Sequence, residues 1–253
     1  LRKKNIMNKN VFIKEIISNF KDNDLSINEK KSLIFYEFYK YLINENKKYN
    51  LTTIVDPRDV IKKHFLDSVL PLVDIQKKIK NFNYDNYENI IDFGCGAGFP
   101  LMPYLIYLID QRSKLNFNYI FTDSNKKKIA FISKFISNNN LLNNFDILCV
   151  QSRLENLYNK NFKRQNTLVI GRAITNFNQL IKYVFEFIKL NSISELSFVY
   201  LVGPNFIKPN MDLLKSYFGT KYEIYYDSYH YEYDSKTIKR GIFYLKVKKV
   251  TPN

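Results

Sequence analysis

The chain predicts an α/β protein: a mostly parallel sheet whose last strand runs antiparallel, preceded by a small N-terminal helical region. Three observations carry that expectation. From Ile90 onward, short apolar runs alternate with helical patterns, which is the rhythm of βαβ units. A bare turn, "GCGAG" from Gly94 to Gly98, directly follows the first of those runs. Ahead of Lys77 the apolar spacing is helical.

Taken in order, the first start signal is Ser26-Ile27-Asn28-Glu29. It has the form of a capping box, in which the Ser hydroxyl and Glu carboxylate satisfy orphan backbone donors. Leu33, Ile34, Phe38, Tyr41 and Leu42 follow at helical spacing. Asp56-Pro57 is a second start, an N-cap followed by proline at the first helical position. The polar stretch from Lys77 to Asn89 reads as a linker, so the division falls at 1–80, helical, and 81–253, the α/β domain. Candidate strands are "NIIDF", "FNYIFT", "FDILCV", "TLVIG" and "SFVYLV". Helical patterns intervene at Leu101–Ile109, Lys126–Ser137, Asn178–Leu190 and Met211–Phe218. Two long strand-like runs, "KYEIYYDSYHYEY" and "RGIFYLKVKKV", close the chain as an antiparallel pair on the sheet edge. There is no internal sequence repeat.

Composition narrows the class. At 253 residues and 45% hydrophobic content the chain can bury a full core. No apolar run reaches the roughly 18 residues of a membrane span, and the nearest, Phe99 to Ile109, holds Pro100 and Pro103. The basic N-terminus has neither a secretory apolar core nor the Arg- and Ser-rich character of a transit peptide, and Met7 offers an alternative start. Cys95 and Cys149 show no CxxC or disulfide pattern, which suits a reducing cytosol. The net charge of +15 fits a polyanionic partner, although a Lys- and Asn-rich, Arg-poor composition of the AT-rich kind yields the same charge without one. The expected chain is a cytoplasmic monomer with no membrane association.

The glycine turn asks for a ligand that lies against bare backbone. A dinucleotide site needs G-x-G-x-x-G, whereas Gly94, Gly96 and Gly98 are spaced G-x-G-x-G. A phosphate-cradling loop needs Gly-Lys-Ser/Thr, and none follows. The run from Asp92 to Gly98, "DFGCGAG", resembles motif I of class I S-adenosylmethionine-dependent methyltransferases. That resemblance implies an acid at the end of the second strand, accepting both ribose hydroxyls. Asp123 stands there, 29 residues beyond Gly94; a plain N-cap for the following helix is its alternative role.

The motifs "YNLTTIVDPRDVIKKHFLDSVLP", "IIDFGCGAGFP", "TDSNKKKIAFI", "VQSRLEN" and "GRAI" occur in this order. Together, from about Asp22 to Lys248, they resemble the RsmG (GidB) family, guanine-N7 methyltransferases of 16S ribosomal RNA. The resemblance implies S-adenosyl-L-methionine as cofactor and 16S ribosomal RNA or a small-subunit precursor as partner. It places the cofactor at Asp92, Gly94, Gly96, Gly98, Phe99, Asp123, Leu154, Glu155 and Arg172. Arg172 also ends the fourth strand, at the edge where open α/β sheets seat ligands. A cation there suits either the methionine carboxylate or the RNA. His64 and Asp67 sit three apart on one helix, which reads as a packed histidine bonded to the aspartate. The resemblance instead makes Arg172, His64 and Asn50 a catalytic, RNA-placing group. Val202 stands where the family usually has lysine, with Lys208 as a replacement.

Guanine N7 carries a lone pair and no proton, so its methylation needs positioning and no general base. The chain has only two histidines and shows no metal-ligand pattern, which fits. RNA contacts are expected from Lys126–Lys128, Arg153 and Lys239–Arg240. The run Tyr225, Tyr226, Tyr229, Tyr231 and Tyr233 offers either stacking surfaces or strand packing. Two rivals remain: a same-fold methyltransferase acting on a small molecule or protein, and a non-catalytic RNA-binding relative.

Overall fold

The computed structural model describes residues 6–110, 117–162, 166–174, 176–203, 211–233 and 238–250. Two helices lead, α1 (Lys9–Lys21) and α2 (Glu29–Tyr49). The start of α2 differs from the capping box expected at Ser26. Asn28 is the N-cap, its side chain accepting from the Lys31 amide, and Ser26 stands exposed outside the helix. Asn caps as well as Ser does, and the burial of Leu25 and Ile27 fixes the approach so that Asn28 is at the mouth.

The second start signal is where the sequence places it. Asp56 accepts from the amides of Arg58 and Asp59, opening α3 (Pro57–Val60) with Pro57 in its first turn. The helix then widens into a π turn over Ile61–Leu66 before resuming as α4 (Asp67–Lys78). The i→i+5 pattern of a π turn interrupts the ordinary ladder and leaves carbonyls for other donors. Here the Lys63 carbonyl accepts from Arg172 at 2.7 Å, and the Ser68 hydroxyl donates to the His64 carbonyl. Pairing with a distant arginine stabilises a distortion that the local sequence alone would not favour.

Five parallel strands follow: β1 (Asn89–Phe93), β2 (Asn118–Asp123), β3 (Asp146–Gln151), β4 (Thr167–Arg172) and β5 (Glu195–Val202). The strands β6 (Tyr222–Tyr233) and β7 (Ile238–Lys249) complete a seven-stranded sheet of order β3-β2-β1-β4-β5-β7-β6. β7 is antiparallel to both its neighbours, so β6 forms the edge, as expected of that pair. The intervening helices α5 (Leu101–Leu108), α6 (Lys126–Ser137), α7 (Phe177–Asn191) and α8 (Met211–Phe218) fall within a residue of their sequence patterns.

Two apolar clusters sandwich the sheet. One runs from Phe12 in α1 to Tyr244 in β7 and contains α2, the π turn, α5 and α6. The other packs α7 and α8 on the opposite face. Phe38 and Phe65 are wholly buried in the first cluster, each worth about 1.5–3 kcal/mol of transfer free energy. The N-terminal helices therefore lie close to the carboxyl ends of β1 and β4. Strand order reverses between those two strands, the position where open α/β sheets bind ligands. Among the described residues, no helix is long and apolar enough to cross a membrane.

Candidate active site

The turn after β1 holds Gly94, Gly96 and Gly98 at φ values of +62°, +56° and +91°. Such backbone is costly for any residue with a Cβ. A Cβ on Gly98 would also lie 3.1 Å from Met102 Cβ, so packing of α5 against the turn requires the third glycine. On Gly96 a Cβ would meet only the Gly94 carbonyl oxygen, at 3.9 Å, because that backbone faces a cavity. The turn is tied down from beneath. Cys95 N–H donates to the Thr122 carbonyl at 3.0 Å, and Gly98 N–H donates to the Cys95 carbonyl at 2.7 Å.

Two cavities flank this turn and share Gly94, Lys128 and Ala173 in their walls. The first, about 350 Å³, lies over the ends of β1, β2 and β4 and receives the carboxylates of Asp123 and Glu155. Asp123 Oδ2 accepts from Gly96 N–H at 3.0 Å and Oδ1 from Asn125 N–H at 2.8 Å. Each oxygen keeps a second lone pair for a ligand donor. Asn125, and not Asp123, is the N-cap of α6, so the alternative role for Asp123 falls away. Glu155 Oε2 is buried with no hydrogen-bond partner. Buried acceptors left in this state call for donors from outside the chain.

The second cavity, about 620 Å³, lies beneath the loop from Asn50 to Ile54. Asn50 ends α2 in the left-handed region at φ 49°. Asn46 then clamps the loop twice, accepting from Thr52 N–H at 2.9 Å and donating to the Thr52 carbonyl at 2.8 Å. His64 stacks on Phe99 with ring centroids 4.2 Å apart and 12° between planes. Its Nε2 lies 2.8 Å from Thr52 Oγ1. Burial, then the nearby Arg172 charge, pushes the imidazole pKa down to about 3. The ring is therefore neutral at any working pH.

Beside it, Asp67 gathers two cations. Arg172 Nη2 lies 2.7 Å and Arg240 Nε 3.1 Å from the same Asp67 Oδ2, and Asp67 is 1% exposed. The expected His64–Asp67 pairing is thus corrected. The extra residue of the π turn rotates the i+3 position off the shared face, and each side chain finds a different partner. Arg240 belongs to this ion cluster, whereas Lys239 pairs with Glu232 at 3.3 Å on the surface.

Residues 31–195 match the family described as rRNA small subunit methyltransferase G (GidB). The chain belongs to that family. A relative in Oenococcus oeni, named Ribosomal RNA small subunit methyltransferase G, is 32% identical over 180 residues, spanning 70% of this chain and 67% of its own. One of the same name in Clostridium kluyveri is 34% identical over 191 residues, covering 73% and 70%. Among solved structures, the O-methyltransferase from Bacillus cereus in complex with SAH is similar at 12% identity and a TM-score of 0.49, covering 94% of this chain and 100% of that one. Methyl transfer to small-subunit ribosomal RNA is accordingly this chain's reaction.

The GidB-family residues expected at the cofactor divide between the cavities. Gly94, Asp123 and Glu155 line the first, while Gly96, Phe99 and Arg172 line the second with Asn50 and His64. Asp92 and Leu154 line neither. Asp92 is fully buried and accepts from Leu101 N–H at 3.1 Å, fastening the start of α5; burial raises its pKa well above the usual carboxylate range. Leu154 buries its side chain under α7, in the second apolar cluster. Gly98 works behind the turn. Val202 is buried in β5, and its proposed replacement Lys208 lies outside the described residues, as do the side chains of Tyr229, Tyr231 and Tyr233. Of the tyrosine run, Tyr226 packs on Phe243, and Tyr225 sets its ring edge-on to Tyr244. Thr52, Asn46 and Tyr183 were not expected at the site. Asn46 carries a faint signal, six residues ahead of Thr52 across a helix end.

Proposed function

We propose that this chain transfers a methyl group from S-adenosyl-L-methionine to N7 of a guanine in 16S ribosomal RNA. The observation that carries the reading is the pair of cavities meeting at Gly94, one walled by carboxylates and the other opening beneath the 50–54 loop. The first suits a nucleoside. Asp123 retains lone pairs for two ribose hydroxyls, Glu155 Oε2 awaits a donor, and the glycine turn offers backbone a ligand can lie against. When bound, the cofactor supplies an electrophilic methyl group on a sulfonium centre.

The chain's own part is to position and desolvate. The second cavity holds an acceptor base against the His64–Phe99 stack, and alignment of this kind supplies up to roughly 7–11 kcal/mol. Neutral His64 adds no charge beside the reacting atoms, and N7 has no proton to lose. We read the partner as 16S ribosomal RNA or its small-subunit precursor, met in the cytoplasm by a monomer, with the net charge of +15 favouring a polyanion. We also propose that residues 1–80 form a unit that shapes the acceptor mouth, while 81–253 bind the cofactor.

Mapping N7-methylguanosine in 16S ribosomal RNA from cells with and without the protein tests the reading. Loss of one modified guanine on deletion, and its return on complementation, is expected. An unchanged methylation map contradicts it.

A further inference from the structure

A third cavity lies away from the glycine turn. It holds about 520 Å³ between the end of α7, the end of α8 and the start of β6, with Lys249 of β7 in its wall. The active site occupies the carboxyl ends of the parallel strands, whereas this cleft sits at their amino ends. Ile193 lines it just ahead of β5, and Lys249 N–H donates to the Ser194 carbonyl at 2.7 Å. The 8 residues of β5 separate the two edges by roughly 25 Å, at about 3.3 Å each. Backbone ties fix its walls. Val250 N–H donates to the Lys221 carbonyl at 2.9 Å, and Tyr222 stands directly across from Lys249 in the β6–β7 register, so their side chains share a face.

The lining is aromatic and cationic. Phe218 sets its ring edge-on to Phe185 at 5.6 Å and to Tyr222 at 5.9 Å, while Tyr217 leans on Phe185 at 6.0 Å. Phe218 is buried and the other three rings are half-buried, so a packed ring backs a wall that is open on its outer side. Lys189, Lys221 and Lys249 are exposed, and none of them forms an ion pair among the described residues. Among the described residues lining the cleft there is no carboxylate. The carbonyls that end α7 are already taken, Lys189 O by Ser192 N–H at 3.2 Å and Ile188 O by Ile193 N–H at 3.0 Å. Gly219, at φ +57°, keeps bare backbone where a Cβ would meet nothing within 4 Å.

Three unpaired lysines around an apolar hollow suit a ligand that is flat and apolar within and anionic outside. A nucleotide has both halves. Single strands of nucleic acid are held in this way, with bases on aromatic rings and phosphates along a basic track. The volume also falls within the roughly 300–1,000 Å³ of small-ligand sites. We propose that this cleft is a second RNA site, in which an unpaired nucleotide of ribosomal RNA stacks in the aromatic hollow and its neighbouring phosphates pair with Lys189, Lys221 and Lys249. The proposal rests on the ribosomal-RNA reading and adds an anchor on the opposite edge of the sheet. The anchor raises affinity for a large RNA and takes no part in the transfer step.

The test compares two RNAs on the full chain: 16S ribosomal RNA, and a short stem-loop cut around the methylated guanine once it is mapped. Filter binding over a salt series gives Kd and its salt dependence. Lys189→Gln/Lys221→Gln/Lys249→Gln should weaken 16S RNA binding about tenfold. It should also lower the slope of log Kd against log salt by roughly 2, at about 0.7 for each single-strand phosphate contact. The stem-loop Kd, kcat at saturating RNA and S-adenosylmethionine Kd should stay as in wild type. Lys77→Gln/Lys78→Gln/Lys80→Gln, an equal charge change at exposed positions around the end of α4, should leave 16S RNA affinity within about twofold. Tyr217→Leu should lose several-fold in affinity with the salt slope intact. Unchanged Kd and slope in the first triple variant overturn the proposal, as does full 16S RNA affinity in Tyr217→Leu. Equal losses for both RNAs, or for the α4 control, also overturn it, because they mark a diffuse charge effect. Wild-type protein that binds both RNAs but leaves no N7-methylguanosine refutes the transfer reading, while the lysine series still decides this site.

Discussion

The two cavities on either side of Gly94 are built on opposite plans. One is made of strand ends: the turn after β1, Asp123 closing β2 and Glu155 just past β3, each placed by the sheet's register. The other is made of long-range contacts, with Arg172 reaching 109 residues back to the Lys63 carbonyl and Thr52 meeting His64 across the helix entry. Their chemistry is opposite too. Carboxylates wall the first, while the described residues lining the second include none. The two meet at Gly94, Lys128 and Ala173, which line both.

The comparison breaks most visibly at Asp67, which lines neither cavity but holds Arg172 in the wall of the second. Asp67→Ala leaves two arginines around an empty position, and should cost about 3 kcal/mol of stability. A thermal scan should show Tm lower by about 6–12 °C; an unshifted Tm means the ion cluster does not hold the second cavity together.

Asp123→Ala addresses chiefly the first cavity, although it also frees the Gly96 amide beside the second. Loss of two charge-assisted hydroxyl bonds should weaken S-adenosylmethionine binding at least tenfold by calorimetry, with RNA affinity unchanged. Equal losses for both ligands would erase the distinction between the cavities.

His64 sharpens the contrast through pH. Its folded pKa of about 3 lies below the ordinary 6.5, so the unfolded chain binds the proton first as pH falls. The neutral ring's burial therefore leaves stability complete above about pH 6.5 and progressively lost from there down to about pH 3. Between pH 7 and 5 that loss is about 2 kcal/mol, and His64→Phe should be less acid-sensitive by this amount. Parallel stability curves for variant and wild type would mean that the ring is already protonated or already exposed.

The smallest effect is expected at Asp92, beneath both cavities. Its carboxyl is held toward the neutral form by burial, and an amide oxygen can still accept from Leu101 N–H. Asp92→Asn should change stability by about 1 kcal/mol or less and cofactor Kd by no more than roughly twofold. A large loss of affinity would place Asp92 in contact with the ligand.

These contrasts also explain what the sequence could disclose. Strand ends are local: an apolar run followed by "GCGAG", or by Asp123, names both the element and the side chain it delivers. The first cavity was readable for that reason, and so were the helices, whose patterns differ from the observed spans by a residue or so. The His64–Asp67 spacing misled because it assumes 3.6 residues per turn, and only the distant Arg172 makes a π turn worthwhile at Ile61–Leu66. Nothing in the spelling of "YNLTT" shows that Asn46 will clamp Thr52. The Ser26 capping box failed more mildly, since Asn28 competes for the same role and the burial of Leu25 and Ile27 decides between them.

The most direct test of the central claim is a crystal structure with S-adenosylhomocysteine. Two ribose hydroxyls within about 3.2 Å of the Asp123 carboxylate, the nucleoside lying on Gly94 and the space beneath the 50–54 loop left open are the expected result. A nucleoside seated beneath that loop, with Asp123 out of reach, contradicts the account.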